Sequence, residues 1–126
     1  MKEKLEELRK DRFLELSTWA GFSPTPGITG VIITKDNKIY HYHQYNRVPN
    51  HFKEIPLEDI SDRGNLSQEK YEELVSFMEK NIIGKDLKAE MIFDAKFTIE
   101  GKIKNQEFKV VNQMELYQKL IKIIGG

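Results

Sequence analysis

Apolar residues recur at every second position from Met91 to Ile103: Met91, Phe93, Ala95, Phe97, Ile99 and Ile103, with Gly101 in phase. Asp94, Lys96, Thr98, Glu100, Lys102 and Lys104 fall between them. A period of two over this length predicts a strand with one buried face. A two-residue turn at Asn105-Gln106 would return the chain as a second strand to Val111, with Phe108 and Val110 on the buried side. That register pairs Ile103 with Phe108 and Lys104 with Glu107. Gly101, with no side chain to pack, suggests a bulge or bend.

The period then changes. Met114, Tyr117, Leu120, Ile121 and Ile124 form a stripe at helical spacing, with Asn112 as N-cap, Glu115 completing a capping box and Gly125 as the stop. A second helix follows Ser67, a good N-cap. Its apolar face is Tyr71, Leu74, Val75, Met78 and Ile82, and Gly84 ends it.

The first half reads as strands. Arg12 to Trp19 places Leu14 and Leu16 inward. Ile28 to Lys35 and Lys38 to Tyr45 form a hairpin around Asp36-Asn37, residues that tolerate the positive φ such a turn needs. Both faces of this hairpin are bulky. One carries Val31, Ile33, Tyr40 and Tyr42, the other Ile32, Ile39, His41, His43 and Tyr45. The pattern alone does not choose between them. Residues 1–10 read as a short helix or a frayed extension. Two loops remain, Ala20 to Gly27 and the long Asn46 to Asn65. The order β-β-β-α-β-β-α predicts an α+β fold, two layers in a single domain spanning 1–126. It consists of an about five-stranded, mostly antiparallel sheet with two helices on one face.

Composition narrows the chemistry. Twenty basic side chains balance twenty acidic ones, which argues against a dedicated nucleic-acid binder. There is no cysteine, so thiolate metal sites, disulfides and cysteine nucleophiles are excluded. No apolar run reaches the length of a membrane span and the N-terminus lacks a signal-like apolar core, so the expected location is cytoplasmic, with no membrane partner. The serines and glycines form no nucleophile elbow, dinucleotide fingerprint or phosphate loop. Glu15 and Asp94 each interrupt an apolar strand, and a cross-strand or loop partner explains them more simply than catalysis. No cofactor is implied.

Three candidate sites remain. Trp19, Phe22, Pro24 and Pro26, with Tyr42 nearby, make an aromatic and conformationally restricted surface of the kind favoured at protein interfaces. His41 and His43 share a strand face, and His51 on the next loop could complete a three-imidazole zinc site of a small enzyme. Tyr40, Tyr42 and Tyr45 with Lys35, Lys38 and Arg47 could stack single-stranded bases.

The succession Ala20-Gly21-Phe22, Pro26-Gly27, Val31-Ile32-Ile33-Thr34-Lys35-Asp36, Leu66-Ser67-Gln68-Glu69 and Phe93-Asp94-Ala95-Lys96-Phe97 resembles the layout of emfourin-type bacterial proteins. Those are small cytoplasmic inhibitors of thermolysin-like metalloproteases, and the first strand of such proteins leads into Gly-Gly-Phe where this chain has Ala20-Gly21-Phe22. The resemblance implies a non-enzymatic, protein-binding role of inhibitor or immunity type and assigns no site residue.

Overall fold

The computed structural model describes residues 4–20, 27–45, 58–91 and 95–125. The chain runs α1 (Lys4–Lys10), β1 (Arg12–Ala20), β2 (Gly27–Thr34), β3 (Lys38–Tyr45), β4 (Glu58–Asn65), α2 (Gln68–Asn81), β5 (Ala95–Ile103), β6 (Gln106–Val111) and α3 (Met114–Gly125). The six strands form one antiparallel sheet in the order β4-β3-β2-β1-β5-β6. The α+β class and the antiparallel sheet agree with the sequence pattern. The expected five strands and two helices become six strands and three helices.

The added strand, β4, lies inside the expected long loop. Its sequence, Glu-Asp-Ile-Ser-Asp-Arg-Gly-Asn, carries a single large apolar residue, Ile60. Alternation is invisible there because β4 is an edge strand, where polar and charged side chains protect an unpaired backbone from pairing in trans. The added helix, α1, is too short to persist alone. It is held by Leu5, which is fully buried against Ile32 and Tyr42.

Helices therefore lie on both faces of the sheet rather than one. Helices α2 and α3 lie on the first face. Leu74, Met78, Tyr117, Leu120 and Ile124 pack there on Leu14, Leu16, Val31, Ile33, Ile39, Ile99 and Ile103. A hydrogen bond from Thr18 Oγ1 to the Tyr117 hydroxyl (2.7 Å) and an edge-on contact of Phe97 with Tyr117 fix α3 on the sheet. Lys70 Nζ reaches the Ile124 carbonyl at 3.2 Å and so ties α2 to the C-terminal end of α3. On the second face α1 covers only Ile32, Tyr42 and their neighbours.

Turn geometry decides which aromatic set goes where. The first hairpin closes with three residues, Lys35 to Asn37, and Asn37 takes the left-handed conformation (φ 66°). The Asn37 amide donates to the Thr34 carbonyl at 3.0 Å. Compared with a two-residue turn, this shifts the register by one residue, so Ile33 pairs with Ile39 and Ile32 with Tyr40. A one-residue slip exchanges faces. Ile39, His41 and His43 thus share the α2/α3 side with Val31 and Ile33, whereas Tyr40 and Tyr42 share the α1 side with Ile32.

The C-terminal hairpin also turns one residue earlier than its pattern suggests. Lys104 and Asn105 both have positive φ (50° and 67°), as the favoured two-residue hairpin turn requires. Ile103 then pairs with Gln106, Lys102 with Glu107 and Gly101 with Phe108. The buried side is unchanged because the pairing moves by an even number of residues. Gly101 is not a bulge. A Cβ there would strike the Phe13 carbonyl and come within 3.1 Å of the Phe108 ring, so glycine permits close strand approach. The bulge lies across from it in β1, between Arg12 and Leu14. It turns Phe13 onto the α2 side, where it meets Tyr71 at 4.9 Å.

Met91 lies outside the strand and is 85% exposed. Phe93 and Asp94 are outside the described residues. Asn112 is not the N-cap of α3. It has φ 55°, and its side chain accepts from the Phe97 amide at 2.9 Å, which prolongs the β5–β6 pairing. Glu90 supplies the missing acceptor from outside, taking the Met114 amide at 3.3 Å.

Candidate functional site

Because α1 is short, no described element packs over β1, β5 and β6 on the second face of the sheet. The side chains in phase there are Glu15, Ser17 and Trp19 from β1, Lys96, Thr98 and Glu100 from β5, and Lys109 from β6. Ser17 and Thr98 are buried, whereas Trp19, Lys96 and Lys109 are exposed. Glu15 anchors the strip. It occupies a central strand and is 1% exposed, a position where an isolated carboxylate would be costly.

Its neighbours remove that cost. Arg9, from the last turn of α1, donates from Nη2 to Oε2 at 2.9 Å and from Nε to Oε1 at 3.1 Å. Arg12 donates from Nη1 to Oε1 at 2.6 Å. The Tyr42 hydroxyl, from β3, donates to Oε2. The Arg9 guanidinium also lies 5.6 Å from the centre of the Tyr42 ring. Burial alone would raise the Glu15 pKa, but the hydrogen bonds and charges of Arg9, Tyr42 and Arg12 outweigh it and hold the carboxyl below its usual range. Burial and the adjacent carboxylate push the Tyr42 hydroxyl up. An ionised carboxylate already saturated by donors is poorly suited to proton transfer near neutral pH. The arrangement is a strut: it clamps α1 to the sheet and orients two guanidiniums.

Beside the strut lies a groove of about 200 Å³, bordered by Ser17, Trp19, Ile28, Lys96, Thr98 and Lys109. Trp19 is 38% exposed although its strand is paired on both sides, with Ile28 and Lys96 as its neighbours. A wider cleft of about 480 Å³ opens at the other end of the strip, between the end of α1 and the β5–β6 hairpin.

The structure places the other candidates as follows. Tyr42 is 3% exposed beneath α1, so it supports the open face from below rather than forming part of it, and its ring is not free to stack on a base. Phe22, Pro24, Pro26, His51 and Arg47 lie outside the described residues, as does the side chain of Tyr45. His41 is exposed and His43 half-buried on the same face of β3, with His43 Nδ1 2.8 Å from Thr29 Oγ1. Burial and the nearby Arg63 charge hold the His41 imidazole below its usual pKa. Among the described residues no group of three His, Asp or Glu side chains is placed to hold a metal ion. No described helix is long and apolar enough to cross a membrane.

The Glu15 network is the feature that strand periodicity misses. Its one local signal is the spacing of Arg9, Arg12 and Glu15, three residues apart. Tyr42 joins from two strands away, and only the first hairpin's register puts it on the correct face.

No known protein family, curated protein or solved structure matches the chain.

Proposed function

We propose that the protein is a non-enzymatic binding domain that grips another protein through the open strip of sheet around Trp19, in the manner of an inhibitor or immunity protein. The observation that carries this reading is Trp19 itself. A large aromatic side chain stands half-exposed on a rigid central strand, beside a groove bordered by Ile28 and Thr98. Indole anchors of this kind dominate binding energy at protein interfaces, and a rigid strand adds little ordering cost. The strip mixes this anchor with Lys96, Lys109 and Glu100, a polar rim around an aromatic centre. The Glu15 strut favours binding over catalysis, since its groups are committed to one another. The emfourin-like layout points the same way.

Capture from a lysate of the native host tests this reading. Trp19→Ala should lower the melting temperature, because most of the indole is buried, yet leave a cooperative melt. It should weaken the specific partner by about thirtyfold or more, the scale of an interface anchor. An identical set of captured proteins at unchanged affinity would show that the surface lies elsewhere.

A further inference from the structure

We infer that the cleft between α1 and the β5–β6 hairpin is an anion site for a small molecule carrying two or more phosphoryl groups. The chain as a whole is neutral, yet this cleft is not. Arg9, Lys10, Arg12, Lys35, Lys102 and Lys109 line it, against two carboxylates, Glu100 and Glu107. The local excess is four positive charges, or three when Glu15 behind the arginines is included. These cations converge from separate parts of the chain. Arg9 and Lys10 end α1, and Arg12 begins β1. Lys35 leaves β2, and its backbone N–H donates a hydrogen bond to the Asp11 carbonyl at 2.8 Å. Lys102 and Lys109 come from the two arms of the hairpin.

Cations converging on one cleft of a neutral protein focus a positive potential there and draw anions to it. The four lysines are exposed, and none makes an ion pair with a described partner. The two arginines are held by Glu15 and, for Arg12, by Glu100 at 3.8 Å. Each guanidinium has five N–H donors, so donors remain for a ligand after these bonds are made. Preset guanidiniums ringed by mobile ammonium groups suit phosphoryl oxygens, which arginine takes through paired donors and lysine as a point charge. The charge matches as well. A phosphoryl group brings about −1.5 to −2 near pH 7, so two of them balance the excess. The volume, about 480 Å³, is that of a small-molecule site. This site does not depend on the protein-partner reading.

The test is calorimetry and thermal melting of the full chain at constant ionic strength with pyrophosphate, tripolyphosphate, ATP, citrate and chloride. Pyrophosphate and tripolyphosphate should each raise the melting temperature saturably, while chloride does nothing and citrate, which is similarly charged, does much less. ATP binding tighter than tripolyphosphate would identify a nucleotide as the source of the phosphoryl groups. Equal binding would assign recognition to the phosphoryl groups alone. Lys35→Gln with Lys102→Gln should weaken binding about tenfold or more and leave the unliganded melting temperature in place. The remote pair Lys119→Gln with Lys122→Gln should bind as the wild type does. The inference is overturned by no saturable shift, by citrate equal to tripolyphosphate, or by equal losses in both lysine pairs.

Discussion

Glu15→Ala is expected to destabilise the protein by about 3 kcal/mol, measured by chemical denaturation. The carboxylate is buried, and removing it leaves Arg9, Arg12 and the Tyr42 hydroxyl facing one another without their shared acceptor. Breaking a buried pair by deleting one partner costs about 3–5 kcal/mol. The lower end applies because Arg9 and Arg12 are 34% and 25% exposed and can turn toward water. The same network sets a pH dependence. The folded-state pKa of Glu15 lies below its unfolded value of about 4.3. Its contribution is therefore complete above that unfolded value and is lost as pH falls through the depressed folded one. Wild-type stability should drop over this acid window, and Glu15→Gln should flatten the drop. An equally steep acid loss in Glu15→Gln would mean that other carboxylates control it.

Gly30→Ala is expected to cost about 2–3 kcal/mol, at the upper end for overpacking. Gly30 sits on β2 between Ser17 and Tyr42. A Cβ there would come within 2.6 Å of Tyr42 Cζ and Oη and within 2.7 Å of the Leu16 carbonyl oxygen. The Tyr42 ring lies over the glycine, so a methyl group displaces the ring and pulls its hydroxyl from Glu15. The two sites should be coupled. In a Tyr42→Ala background, Gly30→Ala should cost at least about 1 kcal/mol less, with a residue of the penalty left by the Leu16 oxygen. Full additivity in this cycle would show that the tyrosine does not transmit the strain.

Most of the scaffold is legible in the sequence because burial on one side writes a period into the chain. The alternation through Phe97, Ile99 and Ile103 and the stripes of α2 and α3 are of this kind, and the core built from them is the one found. One feature is missed by the pattern, and two, the short helix within residues 1–10 and the hairpin faces, are left open by it, for definite reasons. The edge strand β4 is polar by necessity, so it has no period to detect. Helix α1 depends on a tertiary partner, Ile32 and Tyr42, rather than on its own pattern. The hairpin faces depend on a single loop residue, Asn37, whose left-handed conformation lengthens the turn to three residues. That residue sends Tyr42 to Glu15 and the histidines to the other side. Trp19 stands out in the sequence by its residue type and its place next to a Pro-rich loop, but only the sheet order shows that it stands beside a groove. The basic cleft has no signature at all, because its cations are scattered from Arg9 to Lys109 and meet only after both hairpins close.

Photocrosslinking from the sheet decides whether the face around Trp19 is the binding surface. A photocrosslinking residue placed at Lys96 or at Lys109, both exposed on this face, should capture a partner in the native host, and Trp19→Ala should abolish the crosslink. The same residue placed at Phe77 or Ile123, on the outer surface of α2 and α3, should capture nothing. Crosslinks from Phe77 or Ile123, with none from Lys96 or Lys109, would contradict the account.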